Sequence, residues 1–264
     1  MRMSAEPGES RGVLVVGMHR SGTSAVTRIL NLLGLPLCDP SDLMPHINGN
    51  PTGHWESRTL MWLNERLLAE IGARWNVLPG IEGPVAAWHA LARHAPEARR
   101  TFLRLHPTPA WVWKDPRLCI LLPFWRTVLA CDPPIVLVLR HPLEISASLS
   151  ARDGLEPAHA LRLWEQSLRH ALLGCTGAPL YAISYPQLLV DPLGVCHGLA
   201  SFIEALGFRI YPNDDAIRKF LSPQLRHTAF DASDTATLTP SQQRLLGVLL
   251  TVNGPYDRFD PPPI

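Results

Sequence analysis

One stretch near the amino terminus constrains the fold more than any other: a short apolar run, a turn rich in glycine and hydroxyl groups, and an amphipathic segment. Val13 to Val16 is the mostly β-branched run that is typical of a strand buried on both faces of a parallel sheet. From Ser24 onward apolar residues recur at helical spacing, and Gly34 stands where helices commonly end. The stretch therefore predicts a strand, a tight turn and a helix in succession.

The turn between this strand and helix is suited to binding an anion. Backbone N–H groups and the positive end of the helix meet there, and both favour phosphate or sulfate. Glycine leaves room for close approach, while hydroxyl groups and a guanidinium add donors. The residues expected to contact the anion are His19, Arg20, Ser21, Gly22, Thr23 and Ser24.

The loop differs from the nucleotide-triphosphate loop, G-x-x-x-x-G-K-[ST], at its most important position. Gly17 and Gly22 have the right separation, but Thr23 occupies the lysine position. The chain also lacks a strand that ends in an aspartate suited to magnesium, so the pattern disfavours triphosphate hydrolysis. A small-molecule kinase and a nucleotide-binding protein without turnover remain as alternatives.

Two segments of the chain together resemble the sulfotransferase family. The run from His19 to Ser24 is similar to that family's sulfate-donor loop, roughly P-K-S-G-T-[TS], with Arg20 where the family commonly has lysine. Further along, a strand from Pro134 to Leu139 leads into R-H-P-L-E-I-S-A-S, which resembles the family's R-x-P-x-x-x-x-x-S. The resemblance implies 3′-phosphoadenosine 5′-phosphosulfate as the donor, with Arg140 and Ser148 holding the 3′-phosphate. No metal is expected, because fixed cations and the helix dipole neutralise the leaving group.

A second group of residues is a candidate for the chemistry. The loop after the first helix ends in N-P-T-G-H-W-E, similar to the N-P-x-G-x-W-E of a bacterial sulfotransferase subgroup. Glu56 precedes a helix expected from Ser57, and it either complements the helix dipole or acts as the general base. His54 is the rival base because imidazole titrates near neutrality, and His46 is a weaker third candidate.

Lys114 is expected at the edge of the sheet where ligands of open α/β folds bind, because it follows a predicted strand from Ala110 to Trp113. Sulfotransferases commonly carry a lysine here, so the resemblance implies that Lys114 and Arg20 stabilise charge on the transferring group. The alternative is that Lys114 forms a surface ion pair with Asp115 or a neighbour.

The carboxyl-terminal half offers fewer matches to the family. Tyr185 begins a segment that resembles Y-E-D-L-x-x-D-P, which implies a tyrosine near the adenine; the alternative is a buried structural tyrosine. The family's R-K-G motif is absent in that form. Residues 218–220 and 225–227, Arg-Lys-Phe and Leu-Arg-His, are substitutes that either cover the nucleotide or are solvated.

Length and the alternation of strands and helices predict the fold class. A chain of 264 residues, 46% hydrophobic, is expected to form one α/β domain with a mainly parallel central sheet and helices on both faces. The resemblance implies the P-loop-like sulfotransferase fold. We expect the domain at 12–258, with tails at 1–11 and 259–264.

Net charge, cysteine content and hydropathy limit which binding partners and which cellular compartment are expected. A formal net charge of +1 gives no reason to expect nucleic acid. The five cysteines are odd in number and lack a C-x-x-C pair, which favours buried thiols over disulfides or a zinc site. Neither a signal peptide nor a run of ~20 apolar residues is seen, so a cytoplasmic protein is expected. The acceptor is expected to be a small molecule, glycan or lipid, and the sequence leaves the oligomeric state open.

Overall fold

A mainly parallel sheet is the centre of the structure. The computed structural model describes residues 11–45, 53–78, 84–130, 132–221, 230 and 233–263. Five strands in these residues form the sheet: β1 Arg11–Val16, β2 Ala110–Lys114, β3 Ile135–Leu139, β4 Leu180–Ser184 and β5 Gly254–Tyr256. Their order is β2-β1-β3-β4-β5, and every neighbouring pair is parallel except β4 with β5. The prediction of an α/β fold with a mainly parallel sheet is confirmed.

Helices connect the strands and cover both faces of the sheet, as expected for parallel crossovers. The helices of the described residues are α1 Thr23–Leu32, α2 Arg58–Glu70, α3 Pro84–Leu91, α4 Ala95–Leu105, α5 Leu118–Leu129, α6 Pro142–Asp153, α7 Pro157–Gly174, α8 Tyr185–Val190, α9 Pro192–Ala205, α10 Asp214–Phe220 and α11 Pro240–Thr251. Short 3₁₀ turns lie at Pro40–Asp42 and Ala92–His94.

Alternation along β1 divides the core between the two faces. Leu14 and Val16 pack with apolar residues of α2, α4, α5, α7 and α11. Val13 and Val15 pack on the opposite face with residues of α1, α9 and α10. Successive side chains of a strand point to opposite faces, so a strand buried on both sides must be apolar throughout. This explains why β1 and β3 are nearly continuous apolar runs.

All four parallel strands end at the same edge of the sheet. The loop at Gly17 follows β1, Lys114 ends β2, Arg140 follows β3 and Tyr185 follows β4. Ligands of open α/β sheets bind outside the carboxyl ends of the strands. The topology therefore brings residues that are far apart in the sequence to one place.

Some features differ from the sequence-based expectations. Helix α8 and the antiparallel strand β5 were not predicted. Arg11 belongs to β1, where its N–H donates to the Pro109 carbonyl at 2.8 Å. Phe259 is only 1% exposed, and its N–H donates to the Ala178 carbonyl at 2.9 Å. Arg11 and Phe259, which adjoin the boundaries expected from the sequence, thus both donate backbone hydrogen bonds; Arg11 is exposed, whereas Phe259 is buried.

The described residues bear on three further expectations. Cys38, Cys119, Cys175 and Cys196 are buried free thiols, as predicted, and Cys131 lies outside the described residues. In the part of the chain that the structure describes, no helix is both long and apolar enough to cross a membrane. The same part contains no group of three or more acidic, histidine or cysteine side chains that could hold a metal ion.

Gly12 provides a test of the β1–β2 packing. It is paired in register with Trp111, and a Cβ added at Gly12 would lie 1.9 Å from the indole ring. We expect Gly12→Ala to lower the free energy of unfolding by about 1–3 kcal/mol, because the core must shift to admit the methyl group. The measurement is urea denaturation.

The matched control is Gly247→Ala in α11, where an added Cβ has nothing within 4 Å. There alanine is expected to be neutral or stabilising by about 0.5–1 kcal/mol, because glycine is a poor helix former. Equal effects of the two substitutions would contradict the packing argument.

Candidate functional site

The turn after β1 has the compact geometry expected of an anion-binding loop. The Ser21 N–H donates to the Met18 carbonyl at 3.1 Å, which closes the turn. Arg20 and Gly22 have positive φ angles of 67° and 99°. A Cβ added at Gly17 would lie 2.8 Å from both Ser21 Oγ and the Val138 carbonyl oxygen. The loop thus requires glycine for close packing at one position and for backbone conformation at another.

Donors of this loop converge at the start of α1. The first N–H groups of a helix have no acceptor within the helix, and α1 begins at Thr23, directly after Gly22. Ser21 Oγ is buried and has no hydrogen-bond partner among the described residues. A buried hydroxyl without a partner is rare in native proteins. Orphaned donors of this kind, together with the tight glycine turn, fit a phosphate or sulfate group.

Residues of the second sequence motif lie against the anion loop. Arg20 Nε donates to Ser148 Oγ at 2.8 Å, although the two residues are 128 positions apart in the sequence. Arg140 Nη1 donates to the Arg20 carbonyl at 2.9 Å, and Arg140 Nε donates to the buried carboxylate of Glu144 at 2.6 Å. The structure therefore brings Arg140 and Ser148 together with Arg20.

Tyr185 lies between these two motifs. A Cβ at Gly22 would be 2.1 Å from its ring, and the Arg140 guanidinium lies 5.0 Å from the ring centroid. The side chain is buried, and burial raises the pKa of its hydroxyl. These contacts agree with the alternative that Tyr185 is a buried structural tyrosine, whose ring packs against the anion loop at Gly22.

Glu56 and Lys114 form a buried ion pair between Oε1 and Nζ. Their side chains are only 9% and 2% exposed. Burial raises the pKa of the Glu56 carboxyl, and the nearby ammonium opposes that rise. The pair corrects one alternative from the sequence: Lys114 is buried, and its partner is Glu56 rather than Asp115.

A carboxylate that the sequence did not single out holds the Glu56 segment. Asp42 is buried, accepts from the Ser57 hydroxyl and accepts from the Thr59 N–H at 3.2 Å. The Met44 N–H donates to the Glu56 carbonyl at 2.9 Å. Asp42 thus lies at the amino terminus of α2, where a negative charge is favourable, and fixes the chain around Glu56. Only its acidity signalled this role in the sequence.

A second buried network lies under the end of β2. Trp125 Nε1 donates to Asn64 Oδ1 at 2.8 Å, and Asn64 Nδ2 donates to Asp115 Oδ2 at 2.9 Å. Asp115 Oδ1 also accepts from Arg117 Nη1 at 3.0 Å, and Arg117 pairs with Glu65. Every member of this chain is satisfied, so the network holds the segment after β2 in one geometry.

His54 meets the anion loop through its backbone. Ser24 Oγ donates to the His54 carbonyl at 3.2 Å, and the His54 residue is partly exposed. Next to it, Trp55 has a positive φ of 56°, and the Arg28 guanidinium lies 4.8 Å from its ring centroid. The structure therefore places His54 beside the loop, while Glu56 is the residue directed at Lys114.

The imidazole of His19, in the anion loop, packs against an aromatic side chain. Its ring centroid is 5.1 Å from that of Trp75, in an edge-to-face arrangement. The Arg152 guanidinium lies 5.7 Å from the same indole. Burial first, and then neighbouring cations, lower the pKa of His19 well below its ordinary value. Trp75 and Arg152 were not predicted as site residues.

The structure gives the positions of three further candidates from the sequence. Residues 218 and 219, Arg and Lys, are exposed on α10. His46 and residues 225–227 lie outside the described residues. Thr23 is buried in the first turn of α1, where its carbonyl accepts from the Thr27 hydroxyl at 2.8 Å.

Solved structures show similarity to this chain over most of its length. The chain is similar to the sulfotransferase domain from the Synechococcus PCC 7002 olefin synthase, with a TM-score of 0.53 and 17% identity over 94% of this chain and 98% of that one. The sulfotransferase domain from the curacin biosynthetic pathway gives 0.48 and 14%, over 92% and 99%. A sulfotransferase from Mycobacterium tuberculosis gives 0.40 and 17%, over 92% and 77%.

No protein-family model and no curated protein sequence matches the chain. The similarity to the olefin synthase domain, which spans nearly the whole of both chains, shows that this protein has the fold of a sulfotransferase domain.

The buried ion pair generates a prediction about stability and pH. In Lys114→Met the Glu56 carboxyl loses its partner, so its pKa rises further in the folded state. We expect the free energy of unfolding to fall by about 3–5 kcal/mol at neutral pH. A raised folded-state pKa means that the folded state binds more protons than the unfolded state, so stability falls as pH rises.

Urea denaturation at about pH 5 and about pH 8 measures this effect, and the loss is expected to be larger at the higher pH. The double variant Glu56→Gln with Lys114→Met is the control, because it removes both charges and should lose the pH dependence. A single variant with the parent's pH profile would contradict the role of the pair.

Proposed function

We propose that this protein is a sulfotransferase that moves a sulfonate group from 3′-phosphoadenosine 5′-phosphosulfate to a hydroxyl or amine of an acceptor. The observation that carries the proposal is the convergence of Arg140 and Ser148 on Arg20 of the anion loop. Two cation-bearing motifs meet over one edge of the sheet, as a ligand with two separate anionic groups requires. The similarity in fold to a sulfotransferase domain supports the same reading.

The residues of the loop fit the phosphosulfate end of this donor. Ser21 Oγ is buried without a partner among the described residues, and the first N–H groups of α1 have no acceptor within the helix. Arg20 adds a permanent positive charge beside them. The second motif fits the 3′-phosphate, because a guanidinium and a hydroxyl make charge-assisted hydrogen bonds to phosphate oxygens. Bound donor supplies an activated sulfonate and a phosphate leaving group.

The protein's own groups then have separate tasks. Lys114, Arg20 and the loop N–H groups stabilise the negative charge that develops on the leaving phosphate, with fixed dipoles and cations that need no reorganisation. Glu56 accepts the proton of the attacking hydroxyl or amine. Burial raises the pKa of Glu56, and a raised pKa makes a carboxylate a stronger base near neutrality.

Glu56 is the base that we favour over His54. Its carboxylate contacts Lys114 directly, whereas His54 contacts the anion loop through its backbone carbonyl. The ion pair also couples the charge of Lys114 to the proton transfer. When Glu56 becomes protonated it loses its negative charge, so the Lys114 ammonium is available to stabilise the developing anion.

One prediction of the proposed function concerns binding of the 3′-phosphate. We expect Arg140→Met to weaken binding of 3′-phosphoadenosine 5′-phosphate about ten- to a hundredfold, because charge-assisted hydrogen bonds are lost. Binding of adenosine 5′-phosphate, which lacks the 3′-phosphate, should change much less. Isothermal titration with the two nucleotides measures the difference, and Ser148→Ala should show the same selectivity with a smaller loss.

Arg100→Met is the matched control, because Arg100 is exposed on α4. It should leave both affinities unchanged. Equal losses for the two nucleotides in Arg140→Met would mean a general disturbance of the loop, and would count against a 3′-phosphate site. Magnesium-dependent binding of ATP in preference to both nucleotides would favour a kinase instead.

Another prediction of the proposed function concerns Glu56 as the general base. We expect Glu56→Gln to lower the rate of sulfonate transfer about 10²–10⁴-fold while nucleotide affinity is kept, because the amide cannot accept the proton. Labelled donor and a panel of hydroxylated glycans, lipids and phenols give the rate. His54→Gln should retain most of the activity.

The reverse ranking of the two variants would make His54 the base. A parent protein that binds 3′-phosphoadenosine 5′-phosphate but transfers nothing to any acceptor of the panel would favour a nucleotide-binding protein without turnover.

A further inference from the structure

One ring nitrogen of His19, Nε2, has no part in the contacts that hold the fold together. This nitrogen is buried and has no hydrogen-bond partner among the described residues. Native proteins keep few buried polar atoms unpaired, because each loses its hydration without compensation. His19 lies within the anion loop, next to Arg20, so the missing partner is expected to be a group that binds there.

The ring is held in position by its neighbours. The Trp75 indole meets the imidazole at 5.1 Å between centroids, with an angle of 60° between the planes. The Arg152 guanidinium lies over the same indole at 5.7 Å. Packing of this kind restricts the rotation of the imidazole, so Nε2 stays buried.

The electrostatic surroundings determine the form of the ring and the charge of its partner. Burial and the cations Arg117, Arg152, Lys114 and Arg20, in that order, lower the pKa of His19. The imidazole is therefore neutral near pH 7 and carries one N–H. A neutral donor surrounded by cations is a favourable partner for an anion and an unfavourable one for another cation.

The identity of the anion follows from the position of His19 in the site. Arg20 contacts the 3′-phosphate motif through Ser148 and Arg140, whereas the ring of His19 contacts Trp75. The charge of Lys114 acts on His19, and that of Arg140 acts on Arg20. His19 is therefore assigned to the end of the donor near Lys114 rather than to the 3′-phosphate. The anion nearest to Lys114 in the proposed reaction is the sulfonate itself.

We propose that the Nε2–H of neutral His19 donates a hydrogen bond to an oxygen of the sulfonate group during its transfer. His19 is then a catalytic residue beside Lys114, and this assignment rests on the proposed function. The bond between sulfur and the phosphate oxygen breaks, a bond between sulfur and the acceptor oxygen or nitrogen forms, and the acceptor's proton goes to Glu56. His19 keeps its proton throughout.

Two substitutions of His19 separate this contact from a structural role. Glutamine carries an amide N–H at about the reach of Nε2, whereas alanine carries no donor. We expect His19→Ala to lower the rate of transfer about ten- to a hundredfold and His19→Gln to restore most of it. Both should bind 3′-phosphoadenosine 5′-phosphate like the parent, because this product lacks the sulfonate. His89→Ala, at an exposed position of α3, is the control.

A second measurement does not depend on turnover. Inorganic sulfate is titrated into the parent protein with isotope-labelled histidine, and the ring resonances of His19 are followed by NMR. We expect a saturable shift of the Nε2 resonance of His19 and none for His89. Failure to bind 3′-phosphoadenosine 5′-phosphate would contradict the proposed function, whereas the sulfate titration would still decide the anion contact.

The proposal is overturned if sulfate leaves the His19 resonances unchanged. It is also overturned if His19→Gln is as slow as His19→Ala, since the ring would then be needed for its packing against Trp75 rather than for its N–H.

Discussion

The burial of opposite charges at the carboxyl edge of the sheet is the constraint on which the candidate site depends. Lys114 and Glu56 are 58 positions apart in the sequence and meet in a place that water scarcely reaches. Two charges taken out of water cost several kcal/mol each, and only good geometry and further hydrogen bonds offset that cost. Asp42 holds the backbone around Glu56, and the network through Asn64 and Asp115 holds the segment after Lys114. The pair is thus embedded in structure on both sides.

The anion loop follows a different physical logic. Polar atoms of Ser21 and His19 are buried without partners among the described residues, and such atoms weaken a fold. The loop is nevertheless tightly defined, because Gly17 and Gly22 allow close contacts that any side chain would block. Tyr185 packs on Gly22 and links the loop to the end of β4. Local geometry that gives up stability in this way is typical of binding sites.

These two features are connected through the sheet. The parallel order β2-β1-β3 puts the anion loop between Lys114 and Arg140, so one cationic residue stands on each side of it. A ligand with anionic groups at two points, and a reacting bond at one of them, is accommodated by this arrangement. The same topology explains how the second motif reaches the loop: β3 is the neighbour of β1, and α6 carries Ser148 back over the turn.

Local patterns in the sequence predicted the elements that are locally encoded. The apolar runs of β1 and β3 read as buried strands because both their faces are covered, and the glycine turn between β1 and α1 has a strict spacing. Helix α8 was missed because it is only six residues long and coincides with the segment from Tyr185, which was interpreted through its resemblance to a sulfotransferase motif and not for its secondary structure. Strand β5 was missed because three residues containing a proline carry no strand pattern, and only pairing with β4 makes them a strand.

The candidate site was predictable to the extent that its residues lie in spaced motifs. The glycines and hydroxyl groups of the anion loop, and the strand before Lys114, carry a physical meaning of their own, and they singled out these residues. Arg140, Ser148 and Glu56 were singled out by the resemblance of their motifs to those of sulfotransferases. The sequence did not predict the ion pair of Lys114 with Glu56, the hydrogen bond from Ser57 to Asp42, or the contact between the rings of Trp75 and His19. Those contacts join positions far apart in the chain, and no local rule specifies them. Only the order of the strands in the sheet and the packing of its helices decided which charges lie in contact and which polar atoms remain unpaired among the described residues.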